Sequence, residues 1–139
     1  MPTEIVQRSS PKEILDPLLR YRAERGHAGR SLEFVAVDNG IEMGMLSYED
    51  RSDTALAFIY EIFVLPQFRR RGIANMLLSH AEAFAVGQQC QLVRLEPRPL
   101  DETPDMSQLE TWYVRAGYLR SPDYPSLMEK SLPIQRLNY

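Results

Sequence analysis

Cysteine is nearly absent from this 139-residue chain: Cys90 stands alone. That excludes an intrachain disulfide framework and a Cys-rich zinc site. Histidine is nearly as scarce, and the two present, His27 and His80, lie too far apart to show metal-ligand spacing, so no metal is expected. No apolar run reaches the roughly 18 residues of a membrane span. The opening "MPTEIVQRSSPKEI" lacks the basic-then-apolar pattern of a signal peptide. The expectation is a soluble cytoplasmic protein with no membrane partner. Positive charge is not in excess either: the net charge of -3 gives no overall electrostatic case for nucleic acid. Repeats, low-complexity tracts and linkers are missing. The length and the 44% apolar content suit one domain over residues 1–139.

What is present is a succession of patterned segments. "TEIVQRSS" reads as a short edge strand. Ser10 before Pro11 is an N-cap with proline at the first helical position, opening a helix on which Ile14, Leu15, Leu18 and Leu19 recur until Gly26. "LEFVAVDNGIEMGMLSYE" is two strands joined at Asn39-Gly40, which supply the positive φ angles of a tight turn. From Ala55 to Leu65 both alternating faces are apolar, with Leu56, Phe58, Tyr60, Ile62 and Val64 against Ala55, Ala57, Ile59, Phe63 and Leu65. A strand covered on both sides belongs in the middle of a sheet, and Pro66 stops it. A helix from near Gly72 to Gly87 sets Ile73, Leu77, Ala81 and Phe84 on one face, and "QCQLVRLEP" is the next strand. Strand, helix and strand in such close succession predict a right-handed crossover with parallel strands. A Pro-rich loop, "PRPLDETPDM", leads to a helix from about Ser107 to Ala116, stopped by Gly117, and "SLMEKSL" closes as a strand.

Two features of the middle stretch carry chemistry. Glu61 interrupts an apolar face between Ile59 and Phe63. A desolvated carboxylate is costly unless it is paired or faces a wet cleft, so Glu61 is either an ion-paired glutamate or a functional one. Arg69, Arg70 and Arg71 stand directly before a helix N-terminus, which itself favours anions. Together with the backbone N–H groups of Gly72, Ile73 and Ala74 they form a site for a phosphate or pyrophosphate, at the carboxyl end of a strand where α/β sheets bind ligands. Gly72 lets a ligand approach the backbone. The loop is not a Walker loop, because the Gly-Lys-Ser/Thr ending is missing, and it lacks the three glycines of a dinucleotide fingerprint.

"VLPQFRRRGIA" resembles the acyl-CoA motif V-x-P-x-x-R-x-x-G-I-A of the GCN5-related N-acetyltransferase (GNAT) superfamily. "WYVRAGYLR" resembles that superfamily's Y-x-x-x-G-F/Y segment, with Tyr113, Gly117 and Tyr118 in the matching places, and "LMEKSL" resembles its closing M-x-K-x-L strand. The match covers the chain from residue 33 onward. The resemblance implies an α/β GNAT fold: a mixed, mostly antiparallel central sheet with a parallel strand-helix-strand crossover, splayed central strands, and helices on both faces. It implies an acetyl-CoA-dependent N-acetyltransferase, in which a primary amine attacks the thioester directly in a ternary complex.

By that resemblance, backbone groups of Phe63 and Val64 meet the pantetheine arm, and N–H groups from Arg69 through Arg70, Arg71, Gly72, Ile73 and Ala74 hold the pyrophosphate. The side chains of Arg70 and Arg71 are either phosphate partners or solvated rim charges. Glu61 matches the general base, acting through water, and Tyr113 the general acid for the thiolate. A backbone N–H near Val64 would polarise the thioester carbonyl. Glu96 ranks as a second carboxylate below Glu61, and Trp112 is read as core. The stretch from Pro97 to Met106 is longer than the superfamily's usual spacing, and Asp101 is the nearest match to its asparagine. Glu42, Glu49, Asp50 and Asp53 would suit a cationic amine if they line the cleft. His80 reads as a surface or partly buried residue rather than a catalyst, and Cys90 as a small core or strand-end residue. Two other classes stay open: a non-catalytic acyl-CoA sensor of the same fold, and, ranked last, an interaction module whose arginines bind RNA or an acidic protein. The acceptor, a small molecule or a peptide, is not specified by the sequence, and a homodimer stays open.

Overall fold

A computed structural model describes residues 3–98 and 106–133. In chain order the elements are β1 (Glu4–Arg8), α1 (Pro17–Gly26), β2 (Ser31–Asp38), β3 (Ile41–Arg51), β4 (Leu56–Val64), α2 (Ile73–Gly87), β5 (Leu92–Leu95), α3 (Met106–Arg115), β6 (Leu119–Arg120) and β7 (Met128–Ser131). The strands form one sheet in the order β1-β2-β3-β4-β5-β7-β6, which places β4 at its middle. All neighbours are antiparallel except β4 and β5. Asn39 and Gly40 close the β2–β3 hairpin with φ values of 51° and 79°. The two-residue strand β6 has no signal in the sequence, being too short to show a period.

The first helix starts later than Ser10 and Pro11 suggest. Ser10 caps only a 3-10 turn over Pro11–Glu13. The α-helix opens at Pro17, whose ring and missing N–H forbid an interior position but suit a first turn. Asp16 is the cap: its carboxylate accepts from the N–H groups of Leu18 and Leu19, both at 3.0 Å. The backbone freed by this break is satisfied by Glu42, whose Oε1 accepts from Leu15 N–H at 2.8 Å and Asp16 N–H at 2.7 Å while Arg8 pairs with its other oxygen at 2.9 Å. Glu42 is therefore a buried tie between β3 and the start of α1. Leu15 and Leu18 consequently face outward, and Ile14, Leu19 and Ala23 are the buried positions.

The alternation along β4 is broken by a bulge. Ser47 pairs with Glu61 but Tyr48 pairs with Ile59, so Tyr60 is an extra residue on β4. One extra residue swaps the faces of everything beyond it. Ala57 and Ile59 pack with Ile62 and Val64 into a core under α2 and α3, alongside Leu77, Ala81 and Tyr113. Phe63 and Leu65 pack into a second core under α1, with Val35, Met45, Leu19 and Ala23. Ile59 and Phe63, expected on one face, thus lie on opposite faces. At the far end of α2, Gly87 is the last helical residue, but the left-handed residue that follows is Gln89, with φ 63°.

The parallel pairing of β4 with β5 runs only from Leu56↔Leu92 to Ile59↔Leu95. On its other edge β4 stays paired with β3 as far as Gly44↔Val64. Residues Tyr60 to Val64 therefore line a wedge where β5 has left the sheet. Gly44 permits the close pairing behind this wedge, since a Cβ there would stand 2.9 Å from the Phe63 carbonyl oxygen. Replacing Gly44 with alanine is expected to cost roughly 1–3 kcal/mol of stability by overpacking. Urea denaturation would read this as a lowered midpoint at unchanged slope; an unchanged midpoint would contradict the tight β3–β4 contact.

Candidate active site

The wedge holds a cavity of about 320 Å³. Glu61, Phe63, Val64, Arg69, Arg70, Gly72, Ile73, Ala74 and Tyr113 all line it. Of the residues expected at the site, only Arg71 stands outside; it is exposed, and its guanidinium carbon lies 5.6 Å from the Phe68 ring centroid.

The loop from β4 to α2 explains itself through the backbone. After Pro66–Phe68 forms a 3-10 turn, Arg69 is extended, while Arg70 and Gly72 take positive φ values of 65° and 76°. A non-glycine residue held left-handed costs on the order of 1 kcal/mol, a strain that concentrates at ligand sites. Gly72 is the N-cap of α2 and no side chain caps the first turn, so its N–H groups and the helix dipole are presented to the cavity mouth. A Cβ on Gly72 would meet nothing within 4 Å, so the position demands glycine for its φ and leaves open space above the backbone. Successive N–H groups in such a turn can form a concavity, or nest, that suits an anion. Arg69 braces it: its Nε donates to the Val64 carbonyl at 3.0 Å, tying the loop to the end of β4.

Glu61 is both paired and inside the cavity. Arg22 of α1 donates Nη1–H to its Oε1 at 2.6 Å, and the same guanidinium carbon lies 4.0 Å from the Phe63 ring centroid. Burial pushes the Glu61 carboxyl above the usual range, with Arg22 the largest opposing influence and Arg25 and Arg98 weaker ones. Glu61 also ends a polar row that crosses the sheet. Glu33 pairs in register with Ser47, and Ser47 with Glu61. The Glu33 and Ser47 side chains are buried, and His27 Nδ1 lies 2.6 Å from Glu33 Oε1. This row could not be read in the sequence, because each member looks ordinary within its own strand and only the register aligns them.

Tyr113 is buried, and desolvation pushes its phenol up to about 12, so it stays protonated through the neutral range. Trp112 sits at the edge of the core rather than within it: it is half-buried against the α2–α3 cluster, lines the cavity, and donates its indole N–H to the Asn75 side-chain oxygen at 2.9 Å, linking α3 to the first turn of α2. The signal for this was an Asn in the first turn of the motif helix, which carried no weight without the fold. Glu96 lines the cavity too. Asp101 and most of the Pro97–Met106 loop lie outside the described residues. The other acidic residues considered for the acceptor are engaged elsewhere. Glu49 pairs with Arg51 at 2.5 Å, Asp53 with Arg30 at 2.9 Å, and Asp50 accepts from Gln88 at 2.9 Å. His80 packs edge-on against Phe34, at 4.7 Å between centroids, and Cys90 is buried. Among the described residues no helix is long and apolar enough to cross a membrane.

The candidate site thus lies where a strand end, a positive-φ loop and a helix start meet beside the end of a parallel pair. Residues 2–104 match the model of the Acetyltransferase (GNAT) family, and the chain belongs to that family. Over 73 residues it is 27% identical to aminoglycoside N(6')-acetyltransferase type 1 of Salmonella typhimurium, covering 48% of this chain and 50% of that protein. The chain thus spans about half the length of the curated relative it matches. Its fold is similar to that of the ribosomal-protein-S18-alanine N-acetyltransferase from Escherichia coli, with TM-score 0.72, 15% identity and 99% coverage of each chain. It is equally similar to a GNAT family acetyltransferase from Elizabethkingia anophelis with acetyl-CoA bound, with TM-score 0.72, 15% identity, and coverage of 94% of this chain and 98% of that one.

The buried ion pair gives a stability prediction. Replacing Arg22 with glutamine strands Glu61 without its counter-charge and should cost about 3 kcal/mol at about pH 8. Without the guanidinium, the folded-state pKa of Glu61 rises further above its unfolded value, so the variant loses stability as pH climbs through that interval. Thermal unfolding should therefore show a larger deficit relative to wild type at about pH 8 than at about pH 5. A pH-independent deficit would contradict the pairing.

Proposed function

We propose that this protein is an acetyl-CoA-dependent N-acetyltransferase whose acceptor is a primary amine. One observation carries the reading: a single cavity joins the uncapped nest at Arg69–Ala74 to a buried carboxylate, Glu61, and a buried phenol, Tyr113. The donor is a substrate, and the residues fit it. The nest suits a pyrophosphate, and the empty space above Gly72 admits it without a clash. The exposed edge of β4 suits the amide-bearing arm. Leu65 N–H bonds to Met43 on β3, so strand alternation turns the N–H of Val64 toward the wedge, where it can donate to a thioester carbonyl.

Attack requires a neutral amine. Glu61 takes one proton from the attacking nitrogen through a water, a role favoured by a carboxyl whose burial raises its basicity. The C–N bond forms, the C–S bond breaks, and the thiolate needs one proton in return. Tyr113 offers its O–H to the departing sulfur. Because its phenol lies near 12 and an ordinary thiol near 8.5, complete donation by Tyr113 alone is uphill. Tyr113 therefore stabilises the thiolate by a hydrogen bond, and the proton released by the amine closes the balance.

A thiol-release assay with acetyl-CoA over a panel of amines tests this. Glu61→Gln should lower kcat/KM by roughly 10²-fold or more. In wild type, activity should fall as pH drops through the raised pKa of Glu61, and this acidic limb should vanish in the variant. Tyr113→Phe should lower kcat while leaving CoA affinity unchanged. Gly72→Val should weaken CoA binding, read by calorimetry, more than Arg71→Ala does. Binding of CoA with no amine-dependent thiol release in wild type would replace the enzyme with a sensor of the same fold.

A further inference from the structure

The cavity lined by the nest is lined also by Tyr60, Glu61, Glu96 and Arg98, and an acceptor has to meet Glu61 among them. The lining there is mixed in charge, Glu61 and Glu96 against Arg98, with no cluster of carboxylates to draw a polycation among the described residues. The carboxylates expected to draw a cationic amine are tied into the fold elsewhere. The groups whose fields act on Glu61 are instead three arginines: Arg22 and Arg25 from α1, and Arg98 from the segment after β5. Arg22 is engaged with Glu61. Arg98 is exposed, lines the cavity, and holds its guanidinium carbon 5.4 Å from the Tyr60 ring centroid. Among the described residues it has no ion pair and no hydrogen bond. Tyr60 is the bulge residue of β4, so the irregularity that turns Glu61 toward α1 also supplies the ring beneath Arg98. Arg25 is exposed as well, stacked over Tyr21 at 5.6 Å.

A guanidinium stacked on a ring at a cavity mouth, with its donor edge unengaged, is built for a planar anion. A positive field there does a second thing. It disfavours the ammonium form of an incoming amine and so enriches the neutral nucleophile that attack needs. We infer that the acceptor is an amine that also carries a carboxylate, with Arg98 binding the carboxylate while the amine reaches Glu61, and that polycationic amines are disfavoured. This inference rests on the N-acetyltransferase reading above and names its substrate class.

The test uses matched acceptors in the thiol-release assay: free amino acids, their carboxamides, a polyamine, and C-terminally amidated dipeptides with an acidic second residue. The free acids should exceed their carboxamides in kcat/KM by roughly tenfold or more, the usual worth of a hydrogen bond to a charged group. Activity with the acidic dipeptide amide would place the carboxylate on a side chain, and activity with the free acids alone would place it at the α position; both support the inference. Arg98→Gln should raise KM for the acids only, leaving the carboxamides and the KM for acetyl-CoA unchanged, and Arg98→Lys should restore part of the preference. Equal use of acid and carboxamide, a preference for the polyamine, or an Arg98→Gln enzyme with its preference intact overturns the inference while acetyl transfer stands. If no amine releases CoA, the transfer reading fails separately. Calorimetric titration of the acids and carboxamides into the CoA-loaded protein then decides: acid-selective binding lost in Arg98→Gln supports the carboxylate site, and binding of neither or both overturns it.

Discussion

The rest of the structure depends on where the β4–β5 ladder stops. Four residue pairs hold the strands together, ending at Ile59↔Leu95, while β4 stays bonded to β3 on its other edge as far as Val64. A strand with one edge paired and the other bare inside a protein must give its backbone groups something to bond. Arg69 meets the Val64 carbonyl, and the remainder of that edge faces the cavity. The same departure places the end of β4, the nest before α2 and the buried face of α3 around one space. Two cores anchor the walls from opposite sides of the sheet, so the wedge is held open by packing.

Within that frame, Glu61 is the most demanding residue. A carboxylate buried to 7% exposure needs a counter-charge, and Arg22 provides it from a helix that crosses the opposite face from α2. The pair has company: Ser47 and Glu33 extend the polarity across the sheet to His27. This concentrates unfavourable desolvation in one row, with the apolar clusters supplying the compensating burial. The arrangement leaves Glu61 more basic than an ordinary glutamate yet fixed in place. The bulge at Tyr60 is what turns it toward α1, for without the extra residue Glu61 would share its face with Ile59 and the α2 core.

How much of this was legible in the sequence depended on whether the controlling interaction was local. The hairpin at Asn39-Gly40, the central strand, the start of α2 at Gly72 and the end of α3 at Gly117 each follow from a few adjacent residues, and their positions match the structure. The residues gathered around the cavity were legible for the same reason, because the motif spans one strand end and one helix start. What escaped was set by distant contacts. The bulge at Tyr60 is a matter of register against β3, and Ser47↔Glu61 beside Tyr48↔Ile59 cannot be seen in β4 alone. The start of α1 was misplaced because Ser10-Pro11 and Asp16-Pro17 are both good caps, and only Glu42, far along the chain, decides between them. Trp112 read as core because an aromatic beside a motif tyrosine usually is; its bond to Asn75 turns it to the cavity. The acidic residues near the hairpin were claimed by Arg8, Arg30, Arg51 and Gln88, all fold-level partners.

The central claim is that the splayed wedge receives an acyl-CoA, with its phosphates on the backbone nest and its sulfur beside Glu61 and Tyr113. A crystal structure of the protein with CoA tests this most directly. The account predicts pyrophosphate oxygens within hydrogen-bond reach of N–H groups between Arg70 and Ala74, the pantetheine arm along Phe63 and Val64, and the thiol near the Tyr113 hydroxyl. A pyrophosphate held by arginine side chains alone, with the arm lying outside the gap between β4 and β5, would contradict it.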